Sequence, residues 1–153
     1  MKTIKLLLVF CILASLQVIA QNTAPNLNLK PIKFGDCEMS DISTKPEKAP
    51  AWKSQSESIA DYLNKNIKDK QLKKAKKGKV VIAVIILPNG KPCCSSFLNL
   101  TNRELNPYAF KDAVNGMPDW TPAMQEGKEV KSIKMIVLDV QKKGKLVLTD
   151  TGR

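Results

Sequence analysis

Three cysteines, Cys37, Cys93 and Cys94, are the side chains in the body of this 153-residue chain best suited to covalent chemistry. Thiol catalysis needs an activated thiolate, and redox enzymes usually present it in a Cys-x-x-Cys spacing, which is absent. Cys37 can form a disulfide with Cys93 or with Cys94, leaving one thiol over, whereas a bridge between the adjacent Cys93 and Cys94 would close a strained ring. The expected role is structural; a thiol or redox protein using Cys93 and Cys94 is the alternative. The chain has no histidine. That excludes Ser-His-Asp and Cys-His catalysis, and with them the imidazole-based zinc sites. Asp112, Asp119, Glu126 and Glu129 do not make a spaced acid–base pair on one face. No phosphate-binding glycine loop is present. The expectation is a non-enzymatic protein with no cofactor and no metal.

The first twenty residues, MKTIKLLLVFCILASLQVIA, read as a secretory signal. Lys2 and Lys5 precede an apolar run, and Val18-Ile19-Ala20 offers small residues for cleavage before Gln21. The apolar run is interrupted by Lys5, Ser15 and Gln17, and is short for a spanning helix of about 20 residues. Export implies an oxidising compartment, periplasmic or secreted. The other reading keeps this segment as an inner-membrane anchor. With 25 basic against 14 acidic residues, the net charge is +11. Such a charge suits an anionic surface, and contact with a membrane surface is open to it. For an exported protein, nucleic acid is not an expected partner. Lysine runs such as Lys73-Lys74-Ala75-Lys76-Lys77 most often stay solvated.

Residues 21–50 carry Pro25, Pro31, Pro46 and Pro50 and no helical period, so they read as an extended tether, with Ile32 to Cys37 able to pack on the domain. A domain is expected over 51–153. Ser54-Gln55-Ser56-Glu57 matches a capping box, and Ile59, Leu63 and Ile67 form one stripe of a helix over 55–68. KVVIAVIIL, residues 79–87, is a strand covered on both faces. Asn89-Gly90 signals a hairpin into a weaker strand over 92–100. Asn106 as N-cap and Pro107 at the first helical position open a second helix, which Gly116 and Pro118 end. Trp120 then drops from the turn onto the core, while Pro122 and Gly127 direct the chain into a strand over 130–140 and a short last strand over 145–148. The fold class is α+β: an antiparallel sheet of three to four strands with two helices packed on one face.

Four stretches in this order resemble the TonB C-terminal domain family: ESIADYLNKNIK, GKVVIAVIILPNGK, NPYAFKDAVNGMPDW and WTPAMQEGKEV. The resemblance spans residues 51–148. The last stretch is similar to the family's Trp-x-Pro-Ala-x-x-x-Gly-Lys-x-Val segment. The chain departs from the family at Lys68-Asp69-Lys70, where relatives often have Tyr-Pro, and at Pro92-Cys93-Cys94, where they often have Gly-x-Val. The resemblance implies a Gram-negative envelope protein that grips an extended segment of an outer-membrane transporter by strand addition, in the service of transmembrane transport. Carried onto this chain, the recognising strands hold Lys134, Ile136, Leu138 and Val140, and then Lys145 and Val147. The same edges could instead close a homodimer or stand guarded by lysines. A membrane-anchored energy transducer is a further alternative, against which stand the missing histidine and the cleavable signal.

Overall fold

The structure, a computed structural model, describes residues 30–149. The signal and the first part of the tether lie outside the described residues. Five strands, β1 (Ile32–Lys33), β2 (Gly78–Ile86), β3 (Pro92–Thr101), β6 (Ser132–Val140) and β7 (Leu146–Leu148), form one antiparallel sheet in the order β1-β3-β2-β6-β7. A separate hairpin joins β4 (Ala123–Gln125) to β5 (Lys128–Val130). Two helices, α1 (Ile59–Asn66) and α2 (Pro107–Asn115), complete an α+β fold.

The pleat explains where the core sits. Alternate β2 residues Val80, Ile82, Val84 and Ile86 join Leu63 of α1 and Phe110, Ala113 and Val114 of α2 in one buried cluster. Opposite them on β3, Phe97 pairs with Ile82 and packs at a tilt against Phe110 with ring centroids 4.7 Å apart. A bulge at Ser95 shifts the β2–β3 register, so that Cys94 faces the core and Cys93 faces away from it, opposite Ile85.

Several sequence expectations are corrected in detail. The first helix begins at Ile59, not near Gln55. Ser58 is the cap: its hydroxyl accepts from Asp61 N–H at 3.1 Å and donates to the Asp61 carboxylate at 2.7 Å. Ser54 Oγ also accepts from Glu57 N–H, but that turn presents the Glu57 carbonyl to the Trp52 indole at 2.7 Å. The strand expected to be weak, β3, runs ten residues, because Pro92 stands first, where no ladder donor is lost, and Ser95 occupies the bulge. The expected strand over 130–140 is divided, with Lys128–Val130 turned back on Ala123–Gln125 through Glu126 and Gly127, both at positive φ.

The largest difference concerns the tether, of which only Ile32 to Cys37 was expected to pack on the domain. Its described part, 30–50, belongs to the domain and supplies the fifth strand. Ile32 and Lys33 pair with Phe97 and Ser96, Phe34 enters the core cluster, and Cys37 is buried in a disulfide with Cys93. Further on, Ser43 bridges to Ser132, Lys48 to Met124 and Ala51 to Thr121. A composition of prolines and polar residues is here an extended arm laid along the domain.

Candidate binding edge

β6 pairs with β2 along its whole length, but with β7 only over Leu138–Val140. At its start, Lys131 O accepts from Ser43 N–H at 2.8 Å; farther along, Val137 O accepts from Thr149 N–H at 2.9 Å. Between these closures, residues 133–136 have no strand partner on their outer side among the described residues. The Thr149–Val137 bond fixes the alternation of the ladder: odd-numbered residues of β6 point their N–H and C=O outward, even-numbered ones toward β2. The free main-chain groups are therefore centred on Met135.

Side chains flank this edge on both faces. A groove of about 450 Å³, lined in part by Ile59, Ile136 and Leu148, runs beside it, with Lys134 at its rim. On the opposite face, Ile133 and Met135 are 38% and 52% exposed. A strand laid here would meet apolar neighbours above and below while completing the ladder, which is the physical basis of strand addition.

Among the residues singled out from the sequence, Lys134 lies on this edge and Ile136 forms the groove wall. Leu138 and Val140 are not on a free edge: their side chains are buried in the core and their strand is covered by β7. Val147 is half-buried in β7 and Lys145 lies in the exposed turn before it. The outer side of β7 is closed by a side chain the sequence reading missed. Asn64 of α1 donates its Nδ2 to Leu146 O and accepts at Oδ1 from Leu146 N–H, both at 2.8 Å. One amide thus replaces a neighbouring strand. Asparagine in an exposed helical position gives no sign of this in the sequence.

Of the two disulfides open to Cys37, the one formed is with Cys93, at a Cα–Cα distance of 5.9 Å. Cys94 is a buried free thiol, pushed up to about 12 by its burial, against the opposing pull of the Lys111 charge. It stays protonated at neutral pH and faces away from the disulfide across the sheet, so it has neither the charge nor the position to attack it. The arm carrying Cys37 has other anchors: Lys111 pairs with Asp36 and sits 5.4 Å from the Phe34 ring centroid, and Lys131 reaches Glu38 at 3.1 Å.

Trp120 is 1% exposed. Its ring meets Trp52 edge-on at 5.4 Å, and its main-chain N–H donates to Gly90 O at 2.8 Å. Gly90 has φ +82°, and a Cβ there would collide with the Trp120 carbonyl. The β2–β3 hairpin and the Trp120 turn are thus fitted to each other through a position open only to glycine. Pro122 is half-buried, and Gly127 at φ +73° makes the β4–β5 turn.

Among the described residues there is no group of three or more metal-ligating side chains, and no helix is long and apolar enough to cross a membrane. Compared with protein-family models, curated proteins and solved structures, the chain matches none.

Proposed function

We propose that this protein is a non-enzymatic envelope module of the TonB C-terminal kind. It recognises an extended segment of an outer-membrane transporter or another envelope protein by strand addition at residues 133–136. The observation that carries the reading is the outward main chain at Met135, open between two closures and flanked by apolar side chains. The order helix, strand, strand, helix, strand supports the family resemblance, as does the packing of Trp120 against the Gly90 hairpin. The Cys37–Cys93 disulfide is consistent with an oxidising compartment such as the periplasm.

The test exploits the alternation of the ladder. Met135→Pro removes an outward donor and leaves the bonds to β2 in place, whereas proline at Ile136 would break the sheet itself. Envelope proteins captured by the wild-type chain and lost with Met135→Pro support strand addition; equal capture by both counts against it. If Met135→Pro instead converts a dimer to a monomer with no effect on capture, the edge serves self-association. The amino terminus of the purified protein separates this module from an anchored energy transducer: a chain beginning at Gln21 cannot be the transducer.

A further inference from the structure

The sequence holds two lysine runs that read separately as solvated surface: Lys73-Lys74-Ala75-Lys76-Lys77 and Lys142-Lys143-Gly144-Lys145. The fold brings them together. Each overlaps a 3₁₀ turn, Leu72–Lys74 and Lys142–Gly144, and the two turns pack directly on each other. The approach is close: Gly144, at φ +74°, lies against the main chain of Leu72 and Lys73, and a Cβ there would run into the Leu72 carbonyl. Leu72, Ala75 and Leu146 are buried beneath, which fixes both runs at one pole of the molecule. The lysines of both runs are exposed.

Nearby acids do little to offset this charge. Asp69 is 8% exposed, and its carboxylate is occupied by the Gln71 and Asn106 N–H groups. Glu104 shares a shallow groove with Asp69 and its own neighbour Arg103. Asp139 is paired with Lys79 at 2.7 Å and accepts from Thr149; these bonds hold its carboxyl below the usual range.

A second feature adjoins the pole. The sheet face opposite the helices begins there with the row Leu100–Lys79–Asp139–Val147 and continues with Leu98–Val81–Val137 and then Ser96–Ala83–Met135. Among the described residues no helix covers this face, yet apart from the Lys79–Asp139 pair and Ser96 these rows are apolar, and Leu98, Leu100, Val81 and Val137 are each partly exposed. A basic pole continuous with an exposed apolar face is the composition that binds the interface of an anionic bilayer, headgroups to the lysines and apolar side chains to the acyl boundary. A second copy of the chain would bring like charges together. Single-stranded nucleic acid would call for stacking aromatics, and neither lysine run contains one.

We propose that this protein docks on anionic phospholipid surfaces through the lysine pole formed by residues 73–77 and 142–145, with the adjoining sheet face contacting the bilayer. The face reaches the β6 edge at Met135, but Lys73, Lys76, Lys142 and Leu100, the residues varied below, lie outside that edge, so either reading can fail without the other.

The test is co-sedimentation of the full chain with vesicles of phosphatidylglycerol and phosphatidylethanolamine, set against vesicles of phosphatidylcholine alone. The segment 1–20 is common to every variant, so differences between variants report the pole and the face. Binding to the anionic vesicles should weaken steeply as salt rises. Lys73→Glu combined with Lys76→Glu and Lys142→Glu should reduce it by at least about a hundredfold. Leu100→Asp, with the fold checked by circular dichroism, should reduce it by about tenfold. Glycerol phosphate in solution should not compete at millimolar concentration. Overturning results are equal binding to neutral vesicles, indifference to the lysine reversals, indifference to Leu100→Asp, competition by glycerol phosphate, or tighter binding to single-stranded DNA than to vesicles.

Discussion

The two flanks of the central β2 strand are finished in opposite ways. On the β3 flank, the arm adds a strand, buries Phe34 and is locked by the Cys37–Cys93 disulfide. On the β6 flank, the cover is broken: Ser43 closes one end, Thr149 the other, and Met135 stands between them with its main chain free. The contrast teaches that the closed flank carries stability and the open flank can be spared for recognition.

That division can be broken experimentally at several points. Trp120→Ala, which removes the largest buried side chain beside the Gly90 hairpin, should destabilise the fold by about 3–5 kcal/mol in chemical denaturation. A loss below about 1 kcal/mol would mean that the ring is not a core element. Cys37→Ser releases a bridge between residues 56 apart and should cost about 3 kcal/mol, with faster amide exchange over residues 32–37. An unchanged exchange rate would show that Phe34 and the Lys111–Asp36 pair hold the arm unaided. Asn64→Ala strips both partners from the Leu146 main chain and should cost about 1–2 kcal/mol.

The Cys94 thiol gives a test by pH. Its ordinary value of 9.0 is raised to about 12 by burial, so the folded state keeps its proton where the unfolded chain loses it. The resulting stabilisation is whole below about pH 9 and disappears as pH climbs from 9 to about 12. Between pH 9 and 11 the wild-type melting temperature should fall more steeply than that of Cys94→Ala; parallel slopes would place the thiol in water. The smallest effect belongs to the open flank. Met135→Lys should change stability by less than about 0.5 kcal/mol while abolishing partner capture, so a large loss of stability there would erase the contrast between the flanks.

Much of the core was legible from the chain. The apolar run of β2, the Asn106-Pro107 helix start and the burial of Trp120 follow from local chemistry that tertiary context left in place. The arm was harder to see. Phe34 and Cys37 are single anchors in a polar, proline-rich setting, and their partners are more than fifty residues away. Ser54-x-x-Glu57 matched a helix cap, but Ser58-x-x-Asp61, one turn later, caps the helix because Trp52 engages the earlier turn. At the candidate site, Lys134 and Ile136 were identified, whereas Leu138 and Val140 were assigned to an edge that β7 covers. Alternation in a strand shows which residues share a face; it does not show whether another strand lies beside them. Each lysine run was visible alone, but their meeting depends on the contact between Gly144 and Leu72, which no local pattern encodes.

The Asn64 amide has a consequence for assembly. By occupying both main-chain groups of Leu146, it ends the sheet on the β7 side with a helix that cannot serve as a template for another chain. At the other end, β1 offers only two residues. The opening at Met135 lies between the closures at Ser43 and Thr149, so it accommodates only a short strand. With Leu146 capped by a side chain, open-ended strand-by-strand growth is disfavoured on the β7 side.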